Sequence, residues 1–258
     1  VQYRLRSDKL YNSSDQDFSF ENDGKIFWND TVVGRMESGI DILSPKIIPI
    51  IDDEASPEIV EKIKRRLEHF FNRAIELQFE PLLKMKSDDS LTGLSRGLAY
   101  RLIESLGLIE RDHIATDIKA LDQKDRASLR KYGVRFGQFT IFHHLMLKPA
   151  PTKLRLLLWS LMSKQSCPVP GPGLVTLPAD PNLSPDYYLK AGYRLMGERA
   201  LRVDMLERLS DIIRKHNIWN GFEATVDMLS ITGLTLEQFA GVMVNLGYSA
   251  KRDLRNKE

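Results

Sequence analysis

A single cysteine, Cys167, stands among the 258 residues, so no disulfide can form within the chain and no cysteine-based zinc cluster is available. That usage fits a reducing compartment, and a cytoplasmic location is the expectation. Long apolar runs are missing too. No stretch approaches the roughly 20 residues a membrane-crossing helix requires. The opening "VQYRLRSDKLYNSSDQ" has neither an initiator methionine nor the apolar core of a signal peptide, and its abrupt start reads as a piece cut from a longer chain. An excess of charge of one sign is missing as well. With 37 Lys and Arg against 35 Asp and Glu, the net charge of +2 permits a local basic patch but does not demand a polyanionic partner.

The motifs of self-contained catalysis are also absent. "IIPIIDDEA" (47–55) resembles an apolar strand ending in magnesium-holding carboxylates. A nucleotide-hydrolysing motor also needs a glycine-rich loop closing on Gly-Lys-Ser/Thr, whose amides wrap the phosphates. Here the one Gly-Lys pair, Gly24-Lys25, is followed by Ile26, so the chain is not an ATPase. The acids read instead as charging the approach to a helix at 57. His143 and His144 are adjacent, and neighbours on a strand point to opposite faces, which argues against a shared metal ion. Cys167 sits in a proline-rich stretch with no adjacent base to lower its pKa, so an inert thiol is expected. No catalytic residue, metal site or cofactor is assigned, and the chain reads as non-enzymatic.

What is present is the composition of a globular protein, with 42% hydrophobic and 28% charged residues. Residues 18–36 read as three short strands. Asp23-Gly24 signals a two-residue hairpin and Asn29-Asp30 a second tight turn, because these residues tolerate positive φ. From Ser56 and Pro57 the period becomes helical. Val60, Ile63, Leu67, Phe70, Phe71, Ala74 and Leu77 form one face, and Lys62, Lys64, Arg65 and Arg66 the other. Residues 91–107 give another helix ended by Gly107, and 111–133 give two short helices closing at Gly133. "VRFGQFTIF" (134–142) has strand character with Gly137 as a bulge, and Pro149 and Pro151 lead into a helix lined by Leu154, Leu157, Leu158 and Leu161.

The prolines and glycines of 166–183 mark a linker. Beyond it, "DMLERLSDIIRKH" is helical. Thr235 and Gln238 are spaced as a capping box for a helix from Leu236 to Gly247, preceded by another helix before Gly233, which is helix-turn-helix spacing. The expected fold is therefore α+β and mainly α-helical. It comprises a β-meander over 1–55, a helical module over 56–165 with one hairpin or strand near 134–142, the linker, and a helix-turn-helix-like module over 184–258.

Basic residues carry the remaining signal. Arg130, Lys131, Arg135, Lys148, Lys153 and Arg155 cluster with Phe136, Phe139 and Phe142, and cations beside aromatic faces hold single strands without reading sequence. The bland alternative makes the phenylalanines core and the charges a solvated rim. Arg194, Arg199, Arg202 and the tail cations Lys251, Arg252, Arg255 and Lys257 flank the helix-turn-helix. Its second helix offers Glu237, Gln238 and Asn245 but no cation, which disfavours base readout.

Five phrases in order, "DGKIFW", "LTGLSRGLAYRLIESLG", "GVRFGQFTIF" with "LKPAPTKLRLLLW", "AGYRLMGERALRVDMLERL" and the terminal "LGY", give the chain a family likeness. It resembles the C-terminal, non-motor region of alphaproteobacterial superfamily-two helicase-related proteins, similar to the mitochondrial RNA-degradosome helicases. The resemblance implies an accessory region beside two ATP-driven motor domains of the same parent chain, with single-stranded RNA or DNA as partner. Arg135, Lys148, Arg194 and Arg202 fall inside the matching phrases, and Lys153, Arg155 and Phe136 complete the candidate strand-binding set. The alternative is a docking or scaffold module that braces the motor or recruits a nuclease without touching nucleic acid.

Overall fold

A computed structural model describes residues 8–51, 55–165, 167–216 and 220–251. The chain is α+β and mainly helical with an N-terminal strand meander, as expected. No helix among the described residues is long and apolar enough to cross a membrane. The acids at 52–54 and the tail cations Arg252, Arg255 and Lys257 lie outside the described residues.

Two compact units form, and neither is continuous in sequence. One takes residues up to Gly107 and again Leu145–Val169, while the other takes Leu108–His144 and everything from Pro170. The stretch 56–165, expected as one helical module, is thus divided between them.

In the first unit, strands β1 (Phe18–Phe20), β2 (Lys25–Trp28), β3 (Thr31–Asp41) and β4 (Ser44–Pro49) form an antiparallel meander in chain order. The expected three strands are four, because the apolar run at 47–49 pairs with β3 and completes the sheet. The turn at Asp23-Gly24 differs from the two-residue form. Glu21 N donates to Lys25 O at 3.1 Å, leaving a loop of Asn22 to Gly24, with Gly24 at φ 84° in the left-handed position. That is the three-residue hairpin, in which glycine supplies the αL residue after a tight turn. The Asn29-Asp30 turn joins directly paired Trp28 and Thr31, with Asn29 at φ 49°.

Helix α1 (Pro57–Gln78) covers this sheet. Phe18 and Phe70 rings lie 5.3 Å apart and Phe20 meets Phe71 edge-on at 5.6 Å, aromatic geometry that adds to simple area burial. The buried stripe runs Ile63, Leu67, Phe71, Ile75 with Phe70 beside it, at the i, i+4 spacing that places side chains on one face. Leu77, expected inside, is 70% exposed, because Ile75 holds the inward position of the last turn. Arg66 is also a correction. Instead of lying on the solvent face it is buried, donating to Ser13 O at 2.8 Å and to Asp15 at 2.7 Å. Helices α2 (Glu80–Ser87) and α3 (Gly93–Glu104) pack together, and the helix from Pro149 to Ser163 belongs to this unit as well.

The second unit begins with β5 (Leu108–Glu110), a short 3-10 turn and helices α4 (Ala115–Ala120) and α5 (Gln123–Lys131). Then β6 (Val134–Phe136) and β7 (Thr140–His143) form a hairpin, and β7 takes the central place in the antiparallel order β5-β7-β6. Gly137 is therefore in the turn of a hairpin and not a bulge in one strand. Helix α6 (Pro149–Ser163) of the first unit separates this segment in sequence from β8 (Thr176–Pro178). That strand lies inside the expected linker, on the edge of the sheet β8-β10-β9, where a terminal proline is tolerated because one strand side needs no ladder bond. Helix α7 (Pro185–Ala191) leads into β9 (Tyr193–Met196), β10 (Arg199–Arg202) and helix α8 (Val203–Ile213). Helices α9 (Val226–Thr232) and α10 (Leu236–Asn245) follow, with the full capping box of Thr235 and Gln238 formed and Gly233 closing α9 in the left-handed region. Leu206, Leu209, Met228, Phe239 and Val242 bury one core for α8, α9 and α10.

Candidate functional site

The expected strand-binding residues belong to two different units. Lys148, Lys153 and Arg155 belong to the first unit; Arg135, Phe136, Arg194 and Arg202 belong to the second. Their adjacency in sequence spans the boundary at Leu145, where the chain passes from one unit to the other.

Arg155 is the clearest correction. Its exposure is 0%, its guanidinium donates to Met146 O at 2.6 Å and to Thr152 Oγ1 at 3.1 Å, and burial pulls its pKa down to about 9. No phosphate can reach it. Helix α6 is buried on most of its circumference, and the one cation on an inward position is held by the carbonyl at the preceding turn. Lys148 is exposed as the N-cap of α6, and Lys153 is exposed with its Nζ 5.7 Å over the Phe20 ring.

In the second unit, Arg194 and Arg202 are half-buried and engaged. Arg194 sits 3.7 Å from Glu110 and 5.4 Å over the Phe139 ring, and Arg202 clasps Asp204 through Nε at 2.7 Å and Nη2 at 3.0 Å. These two arginines serve the fold of the unit. Arg135 and Phe136 are different: they line an open concavity of about 400 Å3.

The concavity is built where the β6–β7 hairpin meets α8. Val134, Phe136 and Phe142 supply its apolar floor, and Arg130, Arg135, Arg208 and Arg214 its cations. Arg130 lies 5.5 Å over the Phe136 ring, so the half-buried ring and the cation share one face. Asp204, Glu207 and Asp211 also line it, yet each carboxylate is already occupied. Asp204 is held by Arg202, Asp211 by Arg214 at 2.6 Å, and Glu207 by backbone amides. Arg130, Arg135 and Arg208 are exposed and carry no ion pair among the described residues.

Glu207 fixes the geometry. Its carboxylate accepts from the amides of Gln138, Phe139 at 2.9 Å and Thr140 at 2.8 Å, closing the hairpin turn onto α8. Burial raises its pKa, against the pull of those three amides toward the charged form. Ser210, one turn further along α8, donates to the Gln138 side chain and holds the same loop. Hydrogen bonds thus tie the hairpin turn to α8 beside the exposed heads of Arg130, Arg135 and Arg208.

Arg130, Arg135 and Phe136 stand out in the sequence as candidates, whereas Arg208 and Arg214 do not. The signal is present in "DMLERLSDIIRKH": Asp204, Arg208 and Asp211 with Arg214 recur at helical spacing opposite Leu206, Leu209 and Ile213. What sequence does not give is that this stripe faces a hairpin about seventy residues earlier, which only the pairing with the 138–140 amides reveals.

The two histidines also depart from expectation. Their rings stack 5.2 Å apart at 13°, on one side, because His143 ends β7 and His144 opens a 3-10 turn. His143 is fully buried with Nε2 donating to Tyr132 O, and burial, helped by His144, lowers its pKa to about 4. His144 Nδ1 lies 3.1 Å from Gly133 O. The pair fastens the loop between α5 and β6. Among the described residues no three His, Cys, Asp or Glu side chains gather to hold a metal ion.

Comparison of the chain with family models, curated proteins and solved structures finds no match.

Proposed function

We propose that this chain is a non-catalytic accessory region of an ATP-dependent helicase, acting in the cytoplasm, and that its second unit holds or guides a nucleic-acid strand. The observation that carries the reading is the concavity, which Arg130, Arg135 and Arg208 line with no ion pair among the described residues and in which Phe136 has Arg130 over its ring. Cations that track phosphates beside an aromatic ring are what a sequence-tolerant single-strand site needs. A base stacked on Phe136 would displace the Arg130 head from the ring toward the phosphates and contribute about 1–3 kcal/mol. The resemblance to the non-motor region of helicase-related proteins supplies the context of motor domains in the same parent chain. RNA and DNA strands are equally accommodated by contacts of this kind.

The test is a fluorescence titration of the chain with single-stranded RNA and DNA at several salt concentrations. Three neutralised phosphates give a log–log slope near −2. Absence of binding at low salt rejects the reading.

A second reading, a docking module that recruits a partner such as a nuclease, is favoured by α10. Leu236 and Val244 on that helix are 60% and 56% exposed, with no cation along it. It predicts no affinity for either nucleic acid and loss of partner recruitment on Leu236→Ser with Val244→Ser.

A further inference from the structure

The geometry points to a second nucleic-acid surface in this unit: residues 108–143 form a helix-turn-helix closed by a hairpin, and α5 is the helix that enters the major groove of duplex DNA. The inference rests on reading the unit as nucleic-acid binding, and it adds a double-stranded ligand to the single strand proposed above.

Topology is the first support. Strand β5, helices α4 and α5, and the β6–β7 hairpin follow in order, and β5 pairs with the last strand to give β5-β7-β6. The hairpin thereby folds back beside the two helices, leaving α5 as the second helix of the pair, the one that reads a groove in such motifs. The helices are joined through Leu121 and Asp122. Ile114, Ile118, Leu121 and Leu129 are buried, and the Asp122 carboxylate caps α5 by accepting from Asp125 N at 2.7 Å. Arg126 turns inward and donates to Ile118 O at 2.7 Å, which locks α5 to α4.

The outward face of α5 is the second support. At about 100° per residue, Arg130, Gln123, Ala127, Lys131 and Lys124 fall within an arc of roughly 120°, with Arg130 at its edge shared with the concavity. All five are exposed, and neither lysine has an ion pair among the described residues. Asp125 and the buried Leu129 lie outside that arc. Ala127 at its centre permits close approach, Gln123 offers an amide to base edges, and the cations are placed for phosphates. With its side chains an α-helix is about 10–12 Å across, which a B-form major groove of roughly 12 Å admits. The helix pair α9–α10, which has the sequence signature of a helix-turn-helix, lacks such a cationic face: α10 exposes Glu237, Asn245, Leu236 and Val244 and carries no Lys or Arg.

The experiment titrates the 258-residue chain with labelled 20-base-pair DNA, 20-base-pair RNA and 20-nucleotide single strands. Lys124→Glu with Lys131→Glu should weaken duplex DNA binding about tenfold or more at 50 mM salt, and change single-strand affinity less than about threefold, since neither lysine lines the concavity. Both side chains are exposed, so folding is preserved. Arg135→Gln with Arg208→Gln should do the reverse. Duplex DNA binding that survives the lysine reversals unchanged overturns the inference. So does equal binding of duplex RNA, whose A-form major groove is too narrow for a helix. Loss of single-strand binding alone would count against the strand site and leave the groove helix standing.

Discussion

Glu207 and Gly137 sit so close that a Cβ on the glycine would lie 2.3 Å from the Glu207 carboxyl carbon and 2.6 Å from Thr140 O. Glycine is required at 137 by lack of space. The carboxylate takes three consecutive amides only because the turn can approach it without a side chain. Gly137→Ala should therefore destabilise the second unit by about 2–3 kcal/mol. Glu207→Ala should cost about 2–3 kcal/mol, because it orphans the buried Thr140 amide and the partly buried Gln138 and Phe139 amides. Urea unfolding checks both, and an unchanged midpoint for either would show that the clamp contributes nothing.

Acid should weaken the same unit through His143. Its pKa is about 4 in the fold against an ordinary 6.5, so the unfolded chain takes up the proton first. Stability from this residue is complete above pH 6.5 and is lost as pH falls toward 4. Glu207, with its pKa raised, gives the opposite slope at the acid end of that window. Comparison of wild type with His143→Gln isolates the histidine: the difference in stability between pH 7 and pH 4.5 should shrink in the variant. An identical pH profile would contradict the assignment.

Arg155 should matter for folding and not for binding. Arg155→Ala empties a fully buried site and should destabilise the first unit by about 3 kcal/mol. Arg155→Met, which refills the space without the charge, should be milder. Single-strand affinity measured on folded Arg155→Met should equal that of the wild type.

Cys167 should resist thiol reagents. It is buried, its thiol lies 3.3 Å from Gln165 O, and burial lifts its pKa to about 11. Reaction with a chromogenic disulfide at pH 8 should be slow in the native protein and complete after denaturation.

Much of the fold was legible because it is local. The Asn29-Asp30 turn, the i, i+4 stripe from Ile63 to Phe71, and the Thr235–Gln238 box are each written in a few neighbouring residues. The pairing order was not legible. Strands β5, β6 and β8 have three residues each, too short for a period to register, and β5 and β8 find their partners, β7 and β10, more than twenty residues further along the chain. The candidate site suffered likewise. Arg135 and Lys148 are thirteen positions apart yet fall in separate units, while Arg135 and Arg208 line one concavity across seventy-three. Arg155 misled because basic residues are normally outside, and only the packing around α6 reveals this one as internal.

The most direct test of the account is the salt dependence of single-strand binding by the wild type and by Arg135→Gln with Arg208→Gln. The account predicts a log–log slope near −2 for the wild type and near −0.7 for the variant, two phosphates having been released. No binding at 50 mM salt, or one slope shared by both proteins, would contradict it.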